Sequence, residues 1–264
     1  MKRLFLYLFL CNNILIWNSC NKEKLASNSS YKTHTIASNH LEKKYTIHIL
    51  YPPNYDQNKA YKTLFLLDAN DYFQEMVDLI QTNYLDNTIL IGIDYNEFNE
   101  RVHDFTYPAD TRMPNSGQAR QYIQFLNEEL LPYIADDLAI QSSEEILLGH
   151  SLTGYFATYL LFQEEHPNPF EHIIAASPSL WWGNAHIFEL EETFSQNHTL
   201  LNASFFMTMG DLEGVLMNTH FNAFGKILAS RSYAASNFQL KKYTNISHRN
   251  SPILSFKEGL SLIY

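Results

Sequence analysis

Cysteine is nearly missing from this chain. Of 264 residues only Cys11 and Cys20 carry a thiol, and both fall in the first twenty positions. The body therefore has no disulfide, no thiol nucleophile and no cysteine-based zinc site, and an exported form has to rely on its apolar core. Positive charge is the second shortage. Eighteen Lys and Arg stand against 28 Asp and Glu, a formal net charge of −10. Phosphate contacts need clustered Lys and Arg, so nucleic acid is not expected as a partner. A strongly anionic substrate is disfavoured as well, unless one local arginine overrides the global charge. No apolar run is long and unbroken enough for a comfortable transmembrane helix. There is no internal repeat, no low-complexity tract and no clear linker, so residues 31–264 read as one domain. The chain is otherwise globular in composition: 45% of residues are hydrophobic and 17% charged, which excludes a disordered polymer.

The first twenty residues read as a targeting segment. Lys2 and Arg3 make a basic start, Leu4 to Leu10 and Ile14 to Trp17 are apolar, and the run ends at Ser19-Cys20. This order resembles a bacterial lipoprotein signal, in which the cysteine is lipidated and becomes the first residue. Trp17 stands three before that cysteine, where Leu is commoner. Residues 21–30 then read as a flexible tether. Cleavage before Cys20 leaves sixteen cations and 28 acids, a charge of −12. The expected location is an exported, membrane-anchored lipoprotein facing the periplasm or the cell surface, held by its lipid alone.

From Tyr31 onward the pattern is an antiparallel start followed by strand and helix in alternation. Tyr31–Ala37 and Lys43–Tyr51 alternate apolar and polar residues, as a half-exposed pair of strands does. Buried strands are predicted at Thr63–Leu67, Thr88–Ile93, Ile146–Leu148, Ile173–Ala176, Ser204–Met209 and Phe238–Tyr243. Helical spacing is predicted at Asp71–Tyr84, Ser116–Ile134, Ala185–Phe194, Leu216–Leu228 and Ser251–Ile263. This sequence of elements implies an α/β fold, a mostly parallel central sheet with helices on both faces. Reactive groups in such sheets lie just beyond the carboxyl ends of the strands.

One stretch organises the rest. Glu144–Leu161 runs from a buried strand through Gly149-His150-Ser151-Leu152-Thr153-Gly154 into an apolar helix. Strand, sharp turn, helix is the setting of a nucleophile elbow, with Ser151 lifted off the sheet edge. Gly149 supplies the small residue that the close approach needs. Thr153 stands where the usual pattern has glycine, and is expected to crowd the turn. Later strand ends offer Gly210-Asp211-Leu212-Glu213 and then Asn245-Ile246-Ser247-His248. Serine, acid and histidine in that chain order make up an α/β-hydrolase triad. A hydroxyl is a poor nucleophile, an imidazole must take its proton, and a carboxylate must orient the imidazole. Ser151 and His248 are the candidates, with Asp211 or Glu213 as the acid. His150 is expected to be structural, packed behind the elbow. Leu152 should supply one backbone N–H for the oxyanion. No other histidines have HxxxH or HxH spacing, so no metal is expected, and the chemistry needs no cofactor.

Several stretches together resemble the Putative esterase family of α/β-hydrolases, whose branches include esterase D, mycolyltransferases, feruloyl and acetyl esterases and trilactone siderophore esterases. Leu66–Phe73 (LLDANDYF) is similar to that family's LLDGxxxF, with Ala69 in place of Gly. Arg101–Thr106 (RVHDFT) resembles its RxxDYT, Phe125–Tyr133 its FLxxELxPY, and Ser177–Trp182 (SPSLWW) the siderophore-esterase branch. The resemblance implies Glu213 rather than Asp211 as the acid, though some relatives work as a Ser–His pair without one. It implies Asn70 as the second oxyanion N–H. Arg101 is read either as an ion pair with Asp104 or as a cation for an anionic or catecholate group. Trp181 and Trp182 are read as lining a pocket. The implied activity is a serine carboxylic-ester hydrolase for siderophore-type lactones or small acyl esters. The alternatives are a carbohydrate-linked acetyl or feruloyl esterase, or a catalytically silent binding protein that lost activity through Thr153.

Overall fold

The computed structural model describes residues 31–83, 85–95, 99–231, 233 and 238–264. The expected signal segment with Cys20, and the tether, lie outside the described residues. Eight strands form one sheet in the order β1-β2-β4-β3-β5-β6-β7-β8. They are β1 Lys32–Ser38, β2 Lys43–Leu50, β3 Ala60–Leu67, β4 Thr88–Tyr95, β5 Gln141–His150, β6 His172–Ala176, β7 Ser204–Gly210 and β8 Phe238–Tyr243. β1 pairs antiparallel with β2, and β2 antiparallel with β4. Every pairing from β4 through β3 to β8 is parallel. This is the mostly parallel sheet that the order of elements predicts, in the α/β-hydrolase architecture that the resemblance implies.

Helices cover both faces because successive side chains of a strand alternate sides. In β3, Phe65 and Leu67 join one core, while Leu64 and Leu66 join the other. The first core lies under α3 (Ala119–Gln124), α4 (Leu152–Phe162), α5 (Trp182–Asn197) and α6 (Gly214–Ser230). The second lies under α1 (Ala69–Thr82) and α7 (Ser251–Ser261). α1 turns Phe73, Met76, Val77 and Ile80 inward, the spacing read from its sequence. α4 is buried continuously from Thr153 to Phe162, so it is a core helix rather than an amphipathic one. None of the helices among the described residues is long and apolar enough to cross a membrane.

Three elements depart from the sequence reading. β5 is ten residues long, not three, because its polar front half pairs with β3 from Ala60↔Gln141 onward. The predicted helix Ser116–Ile134 is regular only over α3. It continues as wider π-helical turns at Phe125–Leu130 and Tyr133–Asp137. Pro132 sits between these stretches and has no N–H to continue an α-helical ladder. Tyr122, Ile123, Leu126, Leu130 and Ile134 still face inward. Helix α5 is broken near its start by left-handed Gly183, Asn184 and Ala185, so its regular run begins just after Ala185, close to where the sequence places it. A one-turn helix, α2 (Arg101–Asp104), is too short to show any periodicity.

Candidate active site

The carboxyl ends of β3, β5, β6 and β7, with the loop after β8, bring five loops to one edge of the sheet. Ser151 directly follows β5 and precedes α4 at φ 62°, ψ −112°, a backbone conformation that L-residues seldom adopt and that costs roughly 1–3 kcal/mol when held. The surroundings hold it. Its N–H donates to Ala176 O (3.0 Å), and its own carbonyl accepts from Ser179 N (3.0 Å) and Tyr155 N (2.8 Å). Gly149 is required here, because a Cβ on it would lie 2.4 Å from the Thr153 carbonyl oxygen.

His248 meets Ser151 across this edge. Its Nε2 is 2.9 Å from Ser151 Oγ, and its Nδ1 is 2.7 Å from Glu213 Oε2. A carboxylate only accepts, so Nδ1 carries the proton and Nε2 is left bare to accept from the serine. The Glu213 side chain is fully buried, whereas His248 is 41% exposed. Glu213 Oε1 accepts from Ser177 Oγ and from Gly210 N–H, both at 2.6 Å. Gly210 is the second glycine the site demands. A Cβ there would lie 2.2 Å from Ile246 O and 2.9 Å from Glu213 Oε1. Asp211 is placed elsewhere: its Oδ1 accepts from Asn245 N (2.7 Å), bracing the histidine loop without reaching the imidazole.

His150 lies behind the elbow, as expected, and it has two polar partners. Nε2 is 3.0 Å from the carbonyl of His248, which can only accept, so Nε2 donates. Nδ1 then accepts from the Tyr72 hydroxyl at 2.9 Å. Burial, reinforced by His248 and Arg101 nearby, holds the pKa of His150 down at about 3. The ring is thus neutral beside His248, with centroids 4.5 Å apart.

Leu152 and Asn70 occupy the first and second positions of α4 and α1. N–H groups there have no acceptor within their own helix. Both helices begin at neighbouring strands of the sheet, on the edge where Ser151 stands. The Asn70 side chain donates to the Tyr95 hydroxyl.

Three sequence expectations need correction. Arg101 is neither paired with Asp104 nor a free cation at the mouth. Its Nε and Nη2 bond Asp68 at 2.6 and 2.8 Å, and Nη2 also reaches His150 O at 3.2 Å. Asp104 is occupied by Lys43, His103 and Tyr45. The partner of Arg101 lies 33 residues away in sequence, on a loop brought beside it by the sheet. Trp182 does not line a pocket: it is 1% exposed and its indole N–H donates to Pro108 O at 2.9 Å. Only Trp181 keeps an accessible face. Finally, Thr153 does not crowd the elbow. Its hydroxyl accepts from His150 N–H (2.7 Å) and donates to Asp68 Oδ2 (2.8 Å). The physical ground for a silent hydrolase fold is removed with that crowding.

The sequence reading also passed over residues that the site uses. Ser177 and Ser179 lie in SPSLWW, beside its tryptophans. Ser179 Oγ lies 3.3 Å from Ser151 Oγ. Asp68 and Tyr72 stood in LLDANDYF as landmarks only. Arg249, directly after His248, is exposed and forms no ion pair with the described residues.

Comparison with known proteins gives the family and the fold. Residues 38–212 match the family described as Putative esterase. The chain is 29% identical over 180 residues to ferri-bacillibactin esterase BesA of Bacillus subtilis, covering 60% of this chain and 62% of that one. It is 26% identical over 196 residues to a siderophore enterobactin esterase of Emericella nidulans, covering 61% and 64%. These matches span about three fifths of the relatives' length. Among solved structures, the BES protein from Bacillus cereus superposes with a TM-score of 0.75 at 27% identity, covering 92% of this chain and 97% of that one. Siderophore hydrolase EstB from Aspergillus nidulans gives 0.76 at 20% identity over the same shares. The family match covers well over half of the sequence and includes β2 to β7 with the elbow, so the chain belongs to the Putative esterase family, on the α/β-hydrolase fold.

Proposed function

We propose that this protein is a serine carboxylic-ester hydrolase that works through an acyl-enzyme. The observation that carries the reading is the chain of two contacts, Ser151 Oγ to His248 Nε2 at 2.9 Å and His248 Nδ1 to Glu213 Oε2 at 2.7 Å. Ser151 Oγ attacks the ester carbonyl as His248 takes its proton, and Glu213 offsets the charge on the imidazolium. The N–H groups of Leu152 and Asn70 hold the oxyanion. His248 then protonates the departing alkoxide, leaving an ester on Ser151. Water, deprotonated by His248, cleaves that ester and releases the acid.

The proposed substrates are siderophore-type lactones or small acyl esters. Relatives named as ferri-bacillibactin and enterobactin esterases support this class. Exposed Leu212, Val215 and Leu216, next to Glu213 in the chain, offer apolar surface that would suit an aromatic acyl group. Trp181 adds an accessible aromatic face. With Arg101 committed to Asp68, Arg249 is the cation available to an anionic group. The test compares kcat/KM for a catecholate trilactone, a feruloylated sugar and a neutral p-nitrophenyl ester. The trilactone should be preferred, and Arg249→Ala should raise its KM while sparing the neutral ester. A clear preference for the sugar ester would move the substrate assignment to carbohydrates and leave the triad in place. We further propose residues 1–20 as a lipoprotein signal, 21–30 as a tether and 31–264 as the hydrolase domain, anchored through Cys20.

A further inference from the structure

A fully buried carboxylate at the rear of the site takes no part in the proton transfers. Asp68 follows β3 in a left-handed conformation, φ 56°, and its side chain is completely shielded from solvent. Its backbone carbonyl accepts from Asp71 N (2.9 Å) and Tyr72 N (3.2 Å), which fixes the first turn of α1 to it. Its carboxylate faces the other way. Oδ1 receives Arg101 Nε (2.6 Å), and Oδ2 receives both Arg101 Nη2 (2.8 Å) and the Thr153 hydroxyl (2.8 Å). Arg101 Nη2 and Thr153 Oγ1 each also touch His150 O, at 3.2 and 2.9 Å. One residue thus ties two loops together: the start of α1, and the elbow from His150 to Thr153.

Those loops carry the two oxyanion donors assigned above. Asn70 is two residues after Asp68, and Leu152 is one residue before Thr153. The distance between their N–H groups decides whether both reach one oxygen, and nothing covalent sets it, since they start from different strands. We infer that Asp68 is a positioning residue of the oxyanion hole: through Arg101 and Thr153 its carboxylate locks the loop after β3 to the elbow after β5. This rests on the proposed ester hydrolysis. It also accounts for the threonine at a position where glycine is usual, since a glycine has no hydroxyl to offer Asp68. A charged bidentate pair suits the task because its geometry is fixed in two directions at once.

The oxyanion forms only in the transition state, so loosening the clamp should lower kcat and leave KM nearly unchanged. The experiment measures kcat per titrated active site, KM for a p-nitrophenyl ester, and Ki for a boronic acid that forms a tetrahedral adduct on serine. Thr153→Val puts a methyl in place of the hydroxyl, and so removes its contacts with Asp68 and with the backbone of His150. It should lower kcat about tenfold to a hundredfold, the scale of a displaced catalytic contact, and raise the boronic acid Ki in parallel. Thr153→Ser keeps the hydroxyl and should stay within about twofold of wild type by the same reasoning. Asp68→Asn should resemble Thr153→Val or exceed it; if it does not fold, the threonine pair decides. An unchanged kcat per active site in Thr153→Val, whatever its melting temperature, overturns the clamp. A raised KM with unchanged kcat overturns it too. A wild-type protein that turns over no ester removes the functional reading instead, and the clamp with it.

Discussion

At the scale of single residues, the site works by leaving each polar group one role. Glu213 has three partners for its two oxygens, and only one of them is His248. The carboxylate is therefore already oriented before substrate arrives. Glu213→Gln should lower kcat clearly but less than His248→Ala, which should cost about three orders of magnitude or more because triad members act as a unit. Asp211→Asn should be close to wild type, since Asp211 only braces Asn245. Kinetics on the three variants check the order, and a more damaging Asp211→Asn would contradict it. His150 gives a pH prediction. Its pKa is about 3 in the fold and near 6.5 in the unfolded chain, so below pH 6.5 the unfolded state takes up the proton first. Stability should fall as pH drops from 6.5 toward 3, by up to about 1.4 kcal/mol per unit from this group. Glu145 acts in the opposite sense, because burial, helped by Glu171, raises it to about 7 and favours the fold on the acid side. Denaturant midpoints against pH for wild type and His150→Phe isolate the histidine. The variant should show a shallower acid slope, and an identical slope would mean that His150 is protonated in the fold.

At the scale of elements, the elbow depends on how closely β5 and α4 approach each other. Gly149→Ala places a methyl carbon 2.4 Å from a backbone oxygen, so strand or helix must shift. A backbone clash in a packed core costs about 1–3 kcal/mol or more, and the shift also moves Ser151. Melting temperature and activity should therefore fall together, and a variant with wild-type melting would contradict the packing account. Most elements were legible in the sequence because their burial is periodic or continuous: Phe73, Met76, Val77 and Ile80 mark α1, and Ile173–Ala176 marks β6. Others were not. The polar half of β5 is held by pairing with Ala60–Lys62, a partner 81 to 82 residues away that leaves no apolar trace. The π-helical turns around Pro132 keep the same inward residues as a straight helix would, so the pattern could not reveal them. The serine and histidine were readable from their place after strands. The bonds of Arg101 and Thr153 to Asp68 and of Trp182 to Pro108 were not, because Asp68 and Pro108 belong to other loops, and only the assembled sheet edge brings them within reach.

For the whole molecule, the parallel sheet gathers the proposed nucleophile, base, acid and oxyanion donors, from Asn70 to His248, onto one edge. Residues 31–264 hold no cysteine, so the sheet rather than any disulfide frames the site. The proposed lipid anchor would hold that edge near a membrane by tether alone. Cys20→Ser should release the protein from the membrane fraction; an equally bound variant, or native protein without lipid on Cys20, contradicts the anchor. The central claim is that Ser151 is a nucleophile activated by His248. The most direct measurement is labelling with a fluorophosphonate, followed by mapping of the modified peptide and the same reaction on Ser151→Ala and His248→Ala. One adduct per chain is expected, on Ser151, absent in Ser151→Ala and much slower to form in His248→Ala. Full labelling of Ser151→Ala, or an unmodified Ser151 in a protein that still cleaves esters, would contradict it.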